Sequence, residues 1–289
     1  MSAKDAPPPL PEPLPVAVAD SHTHLDMQSS TVDEALTKAG LVGVETVVQV
    51  GCDLKGSRWA AETAAQYENV HAAVALHPNE APRIVLGDPG GRPRQGAREA
   101  GGDAALDDAL AEIDRLAALD HVKAVGETGL DYFRTGPEGK EAQERSFRAH
   151  IEIAKRHGKA LVIHDREAHE DVLRVLAEEG APERTVFHCY SGDADMARIC
   201  AERGYYMSFA GNVTFKNAQP LRDALAVAPL ELVLVETDAP FLTPAPYRGR
   251  PNAPYLIPVT VRAMAAVRGI GEEAMATAIA ENTARAFAY

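Results

Sequence analysis

The sequence predicts an α/β protein with a single (β/α)8, or TIM, barrel, and three observations favour that fold. Eight short runs of apolar and β-branched residues recur along the chain, each followed by a segment with helical periodicity. Strands that alternate with helices form parallel sheets, and near-continuous apolar runs indicate strands that are buried on both faces. A chain of 289 residues can form one such barrel without dividing into separate domains.

The eight predicted strands extend over most of the chain. They read VAVAD, ETVVQVG, VHAAVALH, VKAVGE, ALVIH, RTVFHC, YYMSF and ELVLVE, and they begin at Val16, Glu45, Val70, Val122, Ala160, Arg184, Tyr205 and Glu231. Helical segments between them include DAALDDALAEIDRLAAL, EAQERSFRAHIEIAKRHG and AHEDVLRVLAEEG, and a glycine closes the last two. A doubly wound open sheet is the main alternative. It normally has a glycine-rich phosphate turn after its first strand, and DSHTHLD is not such a turn.

Two segments depart from this alternation. Residues 1–15 are rich in proline and predict a flexible tail ahead of a barrel domain at residues 16–289. The stretch from Gly87 to Asp103 is dense in Gly, Pro and Arg and predicts a flexible surface insertion after the third strand. The alternative interpretation of that stretch is a basic lid or a nucleic-acid-binding arm.

The composition limits the classes of function. Acidic residues number 42 against 29 Lys and Arg, which gives a formal charge of −13, whereas tight non-specific nucleic-acid binders usually carry a basic surface. A polyphosphate substrate would therefore need local attraction, which bound cations provide. Three scattered cysteines, the absence of a signal-peptide pattern and the absence of a long apolar run predict a cytoplasmic protein with no membrane partner. No obligate protein partner is indicated.

Residues of metal-ligand type stand at the carboxyl ends of the predicted strands, where the active sites of barrel enzymes lie. His22 and His24 are two positions apart, so they share one face of an extended strand. The other strand-end residues are His77, Glu127, His164, His188 and Asp238. Each residue alone could equally be a core histidine or a helix cap. Their joint occurrence at strand ends predicts that they converge on one rim of the barrel.

Six of these seven residues, the four imidazoles other than His77 and the two carboxylates, suit divalent cations such as Mg, Mn, Zn, Fe or Co. One structural zinc ion would leave two ligands unused, whereas two cations that share a carboxylate use all six and leave positions for water. Asp20 could orient an imidazole. The remaining histidines fall at strand starts or inside helices, so we expect them to pack or to face solvent. They are His71, His121, His150, His157 and His169.

A thiol enzyme is disfavoured. Cys189 follows His188 directly, so its side chain would point to the opposite face of the strand. The sequence also lacks the GxSxG motif of serine hydrolases.

From about Val16 to the C-terminus, the motifs DSHTHLD, ALHP, VGETGLDY, IHDRE, FHCYSG and ETDAPFLTP…RGRPNAP resemble, in order and spacing, those of the TatD-type metal-dependent hydrolases (deoxyribonucleases). This family is a branch of the amidohydrolase-like TIM barrels. The resemblance implies two divalent cations, one bound by His22, His24 and Asp238 and the other by His164 and His188, with Glu127 bridging. It also implies that Asp238 is the general base for the attacking water.

The implied activity is hydrolysis of phosphodiester bonds, with the chain acting as a DNA exonuclease from a 3′ end. Two cations would activate the attacking water, and His77 and Arg166 are candidates to hold the substrate phosphate, because arginine offers a bidentate fork. Asn79 replaces the second histidine of the family's usual HPH motif, which puts a phosphate contact there in doubt.

Two other functions stay open. The same activated water could attack an amide, a lactone or an aminoacyl ester, for example of aminoacyl-tRNA, and the chain could instead be a non-catalytic metal-binding scaffold. Four aromatic residues next to predicted ligands are either stacking platforms for a single strand or packing residues at the rim: Tyr132, Phe133, Tyr190 and Phe241. For Phe133 and Phe241 the sequence favours packing.

Overall fold

The computed structural model of the protein describes residues 6–87 and 101–289. Eight strands form one sheet in chain order: β1 (Val18–Thr23), β2 (Val44–Gly51), β3 (Val70–Val74), β4 (Val122–Asp131), β5 (Ala160–Arg166), β6 (Thr185–Phe187), β7 (Tyr206–Phe209) and β8 (Val233–Val235). The intervening helices confirm the (β/α)8 fold. None of the helices in these two ranges is both long and apolar enough to cross a bilayer.

Ten α-helices occur in the described ranges. They are α1 (Val32–Gly40), α2 (Leu54–Gln66), α3 (Glu80–Leu86), α4 (Gly102–Ala117), α5 (Lys140–His157), α6 (His169–Glu179), α7 (Ala194–Glu202), α8 (Gln219–Val227), α9 (Ile257–Arg268) and α10 (Glu272–Phe287). Thr31 begins α1 with a reciprocal capping box to Glu34, and Gly158 ends α5 in a left-handed conformation with a φ of 59°.

The strands differ in their bounds from the sequence prediction, and β4 and β8 show a longer and a shorter case. β4 continues four residues beyond Glu127 to Asp131, because it keeps its parallel pairing with β5 along that stretch. β8 is shorter than ELVLVE, because Leu230–Leu232 form a 3-10 turn directly after Pro229.

The contacts divide the chain into two compact units. The first comprises Met1–Gln49, Tyr67–His71 and Val186–Tyr289, and the second comprises Val50–Gln66 and Ala72–Thr185. In the first unit, α10 packs against β1 and β8. In the second, α5 packs against β4 and β5, and the largest buried side chains include Phe147 and Leu161.

Residues 6–15 form an attached segment of the first unit, where the sequence predicts part of a flexible tail. The Arg250 guanidinium donates to the carbonyls of Ala6 and Pro7 at 2.9 and 2.7 Å, and the Tyr255 hydroxyl donates to the carbonyl of Pro8 at 2.8 Å. Proline lacks an N–H group, so a proline-rich segment binds chiefly through its carbonyl oxygens. Three of those oxygens accept hydrogen bonds from side chains of the loop and of the 3-10 turn that precede α9.

The predicted insertion from Gly87 to Asp103 lies largely outside the residues that the structure describes, namely at residues 88–100. At its end, the Gly101 N–H donates to the Ile84 carbonyl at 2.9 Å, and α4 begins at the next residue. The alternative of a basic arm therefore stays a prediction.

His150 of α5 is a buried histidine that makes stability depend on pH. It is 0% exposed, its Nε2 accepts the N–H of Leu76 at 3.0 Å, and its Nδ1 lies 2.7 Å from the Ser146 carbonyl oxygen. Burial lowers the pKa of His150 from 6.5 to about 4, against the opposing effect of the Ser146 hydrogen bond. Between these two pH values the unfolded chain binds the proton and the folded chain does not, so stability falls as the pH falls.

We expect His150 to lower the free energy of unfolding by up to about 3 kcal/mol between about pH 6.5 and pH 4. Urea unfolding at a series of pH values measures this loss. His150→Gln keeps an acceptor for the Leu76 N–H but cannot titrate, so it should reduce the slope. His121→Gln, at a partly exposed position, is the matched control and should keep the wild-type slope. The same slope in His150→Gln as in wild type would contradict this assignment.

Candidate metal centre

The first unit brings three predicted ligands together. β1 carries His22 and ends one residue before His24, while Asp238 follows β8. The backbone joins these segments, since the Asp238 N–H donates to the His22 carbonyl at 2.9 Å and the His24 N–H donates to the Ala239 carbonyl at 2.8 Å. Asp238 Oδ1 lies 3.5 Å from His24 Nε2 and 3.9 Å from His22 Nε2. One ligand atom from each residue lies within 4.8 Å of the others, as one cation requires.

His188, also in the first unit, stacks on His22 with the ring centroids 3.8 Å apart. Its Nδ1 lies 3.0 Å from Glu236 Oε1, which also accepts the Cys189 N–H at 2.9 Å. Burial raises the pKa of the Glu236 carboxyl, and the neighbouring His188 opposes that effect. A carboxylate at one imidazole nitrogen fixes the ring and makes the other nitrogen the ligand, so Nε2 of His188 is the atom suited to bind a cation.

Asp20 fixes the backbone of the two ligand-bearing segments in this unit. Its Oδ1 accepts the N–H groups of Thr237 and His22 at 2.9 and 3.3 Å, and its Oδ2 accepts the Thr237 hydroxyl at 2.5 Å. Burial raises the pKa of Asp20 to about 8, although these hydrogen bonds act to lower it. The sequence predicts that Asp20 orients an imidazole; these contacts give it the wider task of holding β1 against the segment after β8.

The second unit brings Glu127 together with two predicted imidazoles. Glu127 lies on β4, and His164 of β5 pairs in register with Gly129, which places His164 Nδ1 3.4 Å from Glu127 Oε2. His77 Nε2 lies 3.9 Å from Glu127 Oε1, and the His77 and His164 rings are 4.5 Å apart. The Cys52 thiol also donates to Glu127 Oε1 at 3.3 Å. A predicted ligand and a predicted phosphate contact therefore flank the predicted bridging carboxylate.

Asp131, at the end of β4, supports this group. Its Oδ2 lies 3.2 Å from His164 Nε2 and accepts the side-chain amide of Asn79 at 3.0 Å. Burial alone would raise the pKa of Asp131, but hydrogen bonds from His164, Asn79 and the Arg134 backbone hold it well below its usual range. With Nε2 held by Asp131, Nδ1 of His164 faces Glu127 and is the nitrogen suited to a cation. Asn79 thus helps to hold the carboxylate that orients His164.

Arg166 is the last residue of β5, and its guanidinium carbon lies 3.8 Å from the centre of the Phe133 ring. Phe133 is 57% exposed and Phe241 is 53% exposed, so the packing favoured for these two residues is wrong. Tyr190 is buried and its hydroxyl donates to the Asp193 carbonyl at 2.9 Å. It is a packing residue.

The predicted ligands fall into donor groups that suit divalent cations. Within the part of the chain that the structure describes, His22, His24 and Asp238 form one group, and His22, His188 and Glu236 form another. Imidazole nitrogen and carboxylate oxygen together favour borderline cations such as zinc, manganese, iron and cobalt. A bound cation would also compensate the unfavourable burial of the carboxylates in these groups.

Sequence reasoning missed three residues that contact the predicted ligands, namely Cys52, Asp131 and Glu236. Asp131 and Glu236 lie inside the motifs VGETGLDY and ETDAPFLTP, Asp131 as the last residue of β4 and Glu236 as the first residue after β8. That position, a carboxylate close to the end of a buried strand, is the signal that could have identified them.

Comparison with known proteins indicates the family to which the chain belongs. A family profile described as TatD related DNase matches residues 19–288. The chain is 42% identical over 278 residues to an uncharacterized metal-dependent hydrolase TatD of Mycobacterium tuberculosis, covering 93% of this chain and 97% of that protein. It is 35% identical over 276 residues to the uncharacterized metal-dependent hydrolase YcfH of Escherichia coli K12, covering 93% and 95%.

The fold agrees with solved structures. The TatD homologue YJJV of Escherichia coli K12 superimposes with a TM-score of 0.80 at 26% identity, over 94% of this chain and 98% of that one. A TatD family hydrolase of Entamoeba histolytica has the same fold, with a TM-score of 0.76 at 18% identity over 95% and 99% of the two chains. The profile match and the relatives cover nearly the whole sequence. The chain therefore belongs to the TatD family of metal-dependent hydrolases.

Proposed function

We propose that this chain hydrolyses phosphodiester bonds in DNA as a divalent-cation-dependent exonuclease of the TatD type. The observation that carries the proposal is the group formed by His22, His24 and Asp238, whose donor atoms lie within 4.8 Å of one another in a family described as DNases. DNA is the proposed partner, and the cytoplasm is the proposed location.

His22, His24 and Asp238 would hold one cation. The motif resemblance assigns His164 and His188 to a second cation and Glu127 to both, and this assignment stays a prediction. When bound, such cations lower the pKa of a water molecule and neutralise charge that develops on a phosphate. They would also attract a polyanionic substrate locally, against the formal charge of −13 that by itself repels it.

Asp238 is the proposed proton acceptor. Its carboxylate lies next to the imidazoles of His22 and His24 and is partly exposed, so it can take a proton from an incoming water molecule. The Asp238 backbone has a positive φ of 51°, which is uncommon outside glycine and is often found at functional sites.

His77 and Arg166 are the proposed phosphate contacts. His77 Nδ1 accepts the Asn79 N–H at 3.1 Å, so a neutral His77 ring carries its proton on Nε2, the nitrogen on the side of Glu127. His77 can therefore donate a hydrogen bond to a phosphate oxygen. Arg166 adds a permanent positive charge and a planar fork of donors two residues after His164.

The test is an assay of the cation-reconstituted protein on a 5′-labelled single-stranded oligonucleotide and, separately, on an aminoacyl ester and an amide. We expect a ladder of products that shorten from the 3′ end. An unchanged oligonucleotide together with a cleaved ester or amide would overturn the nuclease proposal in favour of the carbonyl-hydrolase alternative. No cleavage of any substrate across Mg, Mn, Zn, Fe and Co would favour a non-catalytic role.

A further inference from the structure

Phe133 presents an apolar ring to solvent although it follows β4 almost directly. The side chain is 57% exposed, and one face of the ring carries the Arg166 guanidinium at 3.8 Å. A ligand that covers the open face of the ring would remove apolar surface from water, which is favourable. The pair therefore presents a flat apolar surface beside a fixed positive charge.

The backbone around this pair is anchored at several points. Asp131 Oδ1 accepts the Phe133 N–H at 3.1 Å, and the Tyr132 N–H donates to the Arg166 carbonyl at 2.9 Å. β5 ends at Arg166, and Glu167 turns the chain with a φ of 56°. The position of the pair is thus set by hydrogen bonds and by strand pairing.

Asp131, which accepts the Phe133 N–H, also contacts a predicted cation ligand. Asp131 Oδ2 lies 3.2 Å from His164 Nε2, while its Oδ1 holds the turn that carries Phe133. His164 and Arg166 lie two residues apart on one strand and share a face of it. A ligand stacked on the pair would consequently sit at a fixed distance from the His164 imidazole.

We infer that Phe133 and Arg166 form a stacking subsite for one nucleobase of a single-stranded substrate; the inference rests on the proposed nuclease function. A base has the flat π face that continues the stack of ring and guanidinium, and the phosphate attached to it suits the remaining Arg166 donors. Stacking of this kind tolerates every base, so the subsite would bind without sequence preference. A simple phosphodiester or an aminoacyl ester that carries no nucleotide offers no base for this position.

Abasic scanning tests the subsite. A single-stranded oligonucleotide is prepared with one abasic residue at each position in turn, and kcat/KM is measured for wild type and for Phe133→Ala. For wild type, an abasic residue at one position relative to the scissile bond should lower kcat/KM by about 5- to 100-fold. Phe133→Ala should lose that discrimination, and Phe133→Trp should retain it because indole also stacks.

The outcomes separate the two proposals. A wild type that cleaves the oligonucleotide with equal efficiency at every abasic position overturns the subsite and leaves the nuclease proposal intact. The same positional loss in Phe133→Ala as in wild type also overturns the subsite. A wild type that cleaves no oligonucleotide overturns the proposed function, and the subsite with it. Leu41→Ala, an exposed apolar residue after α1, is the control and should follow wild type.

A binding measurement gives a readout that does not depend on turnover. Trp59 is the single tryptophan of the chain, so Phe133→Trp in a Trp59→Phe, Asp238→Asn background reports on position 133 alone. Addition of a single-stranded oligonucleotide should quench this fluorescence, and a chain of abasic residues of the same length should not. Equal quenching by both chains would show that phosphate contact, not base stacking, occurs at this site.

Discussion

Asp238→Asn is expected to lower kcat/KM for the phosphodiester substrate by about 10³-fold or more. General base catalysis alone contributes about 10²- to 10⁴-fold, and an amide cannot accept the proton. The amide oxygen is also a weaker cation donor than a carboxylate, so the affinity of the cation at His22 and His24 should fall as well. The overall fold should persist, because the backbone hydrogen bond from residue 238 to the His22 carbonyl does not involve the side chain.

Steady-state kinetics on purified protein measures this loss, with circular dichroism to show that the variant is folded. Asp223→Asn is the matched control, because Asp223 lies exposed on α8 and its carboxylate accepts a hydrogen bond from the neighbouring Gln219 side chain at 2.7 Å. It should retain wild-type kcat/KM. Activity of Asp238→Asn within tenfold of wild type would mean that another group accepts the proton.

The strand-end rule explains why most of the centre is predictable from the sequence. His22 and His24 share a face because a strand repeats every two residues, and a buried strand is visible as an apolar run. Glu127 and His164 also lie on strands that are visible as apolar runs, although β4 and β5 continue four and two residues beyond them. These residues are local to their strands, so their placement needs no knowledge of distant contacts.

The supporting carboxylates are different, because their roles depend on residues that are distant in sequence. Glu236 contacts His188 across 48 positions, and Asp131 contacts Asn79 across 52 positions. An apolar run predicts where a strand ends but not which carboxylate meets which imidazole. The attached N-terminal segment is a similar case, since Arg250 reaches the Ala6 carbonyl across 244 positions.

Phe133 shows a further limit of sequence patterns. A phenylalanine next to a buried strand is usually a packing residue, and the sequence supports that interpretation. Its exposure follows from the turn that Asp131 imposes on the Phe133 and Arg134 N–H groups at 3.1 and 2.9 Å. One carboxylate oxygen of Asp131 accepts both hydrogen bonds. The side of the strand to which the Phe133 ring points as a result is a property of the folded chain.

Removal of divalent cations is expected to abolish hydrolysis and to lower Tm. A cation that binds only the folded chain stabilises it by about 3 kcal/mol at a hundredfold excess over Kd. Dialysis against a chelator, followed by calorimetry and by activity measurements on return of each cation, tests both effects. Full activity after exhaustive chelation would contradict a metal-dependent mechanism for this chain.

The number of cations per chain distinguishes a single-cation centre from the predicted pair. If Glu127 is a ligand of both cations, Glu127→Gln should weaken the binding of both. The cation content measured by elemental analysis should then fall from two per chain towards none. If Glu127 serves only His164 and its neighbours in the second unit, the variant should keep the cation of His22, His24 and Asp238. Glu62→Gln, exposed on α2, controls for the loss of one negative charge. One cation per wild-type chain at full activity would refute the bridged pair and leave the first unit as the complete catalytic centre.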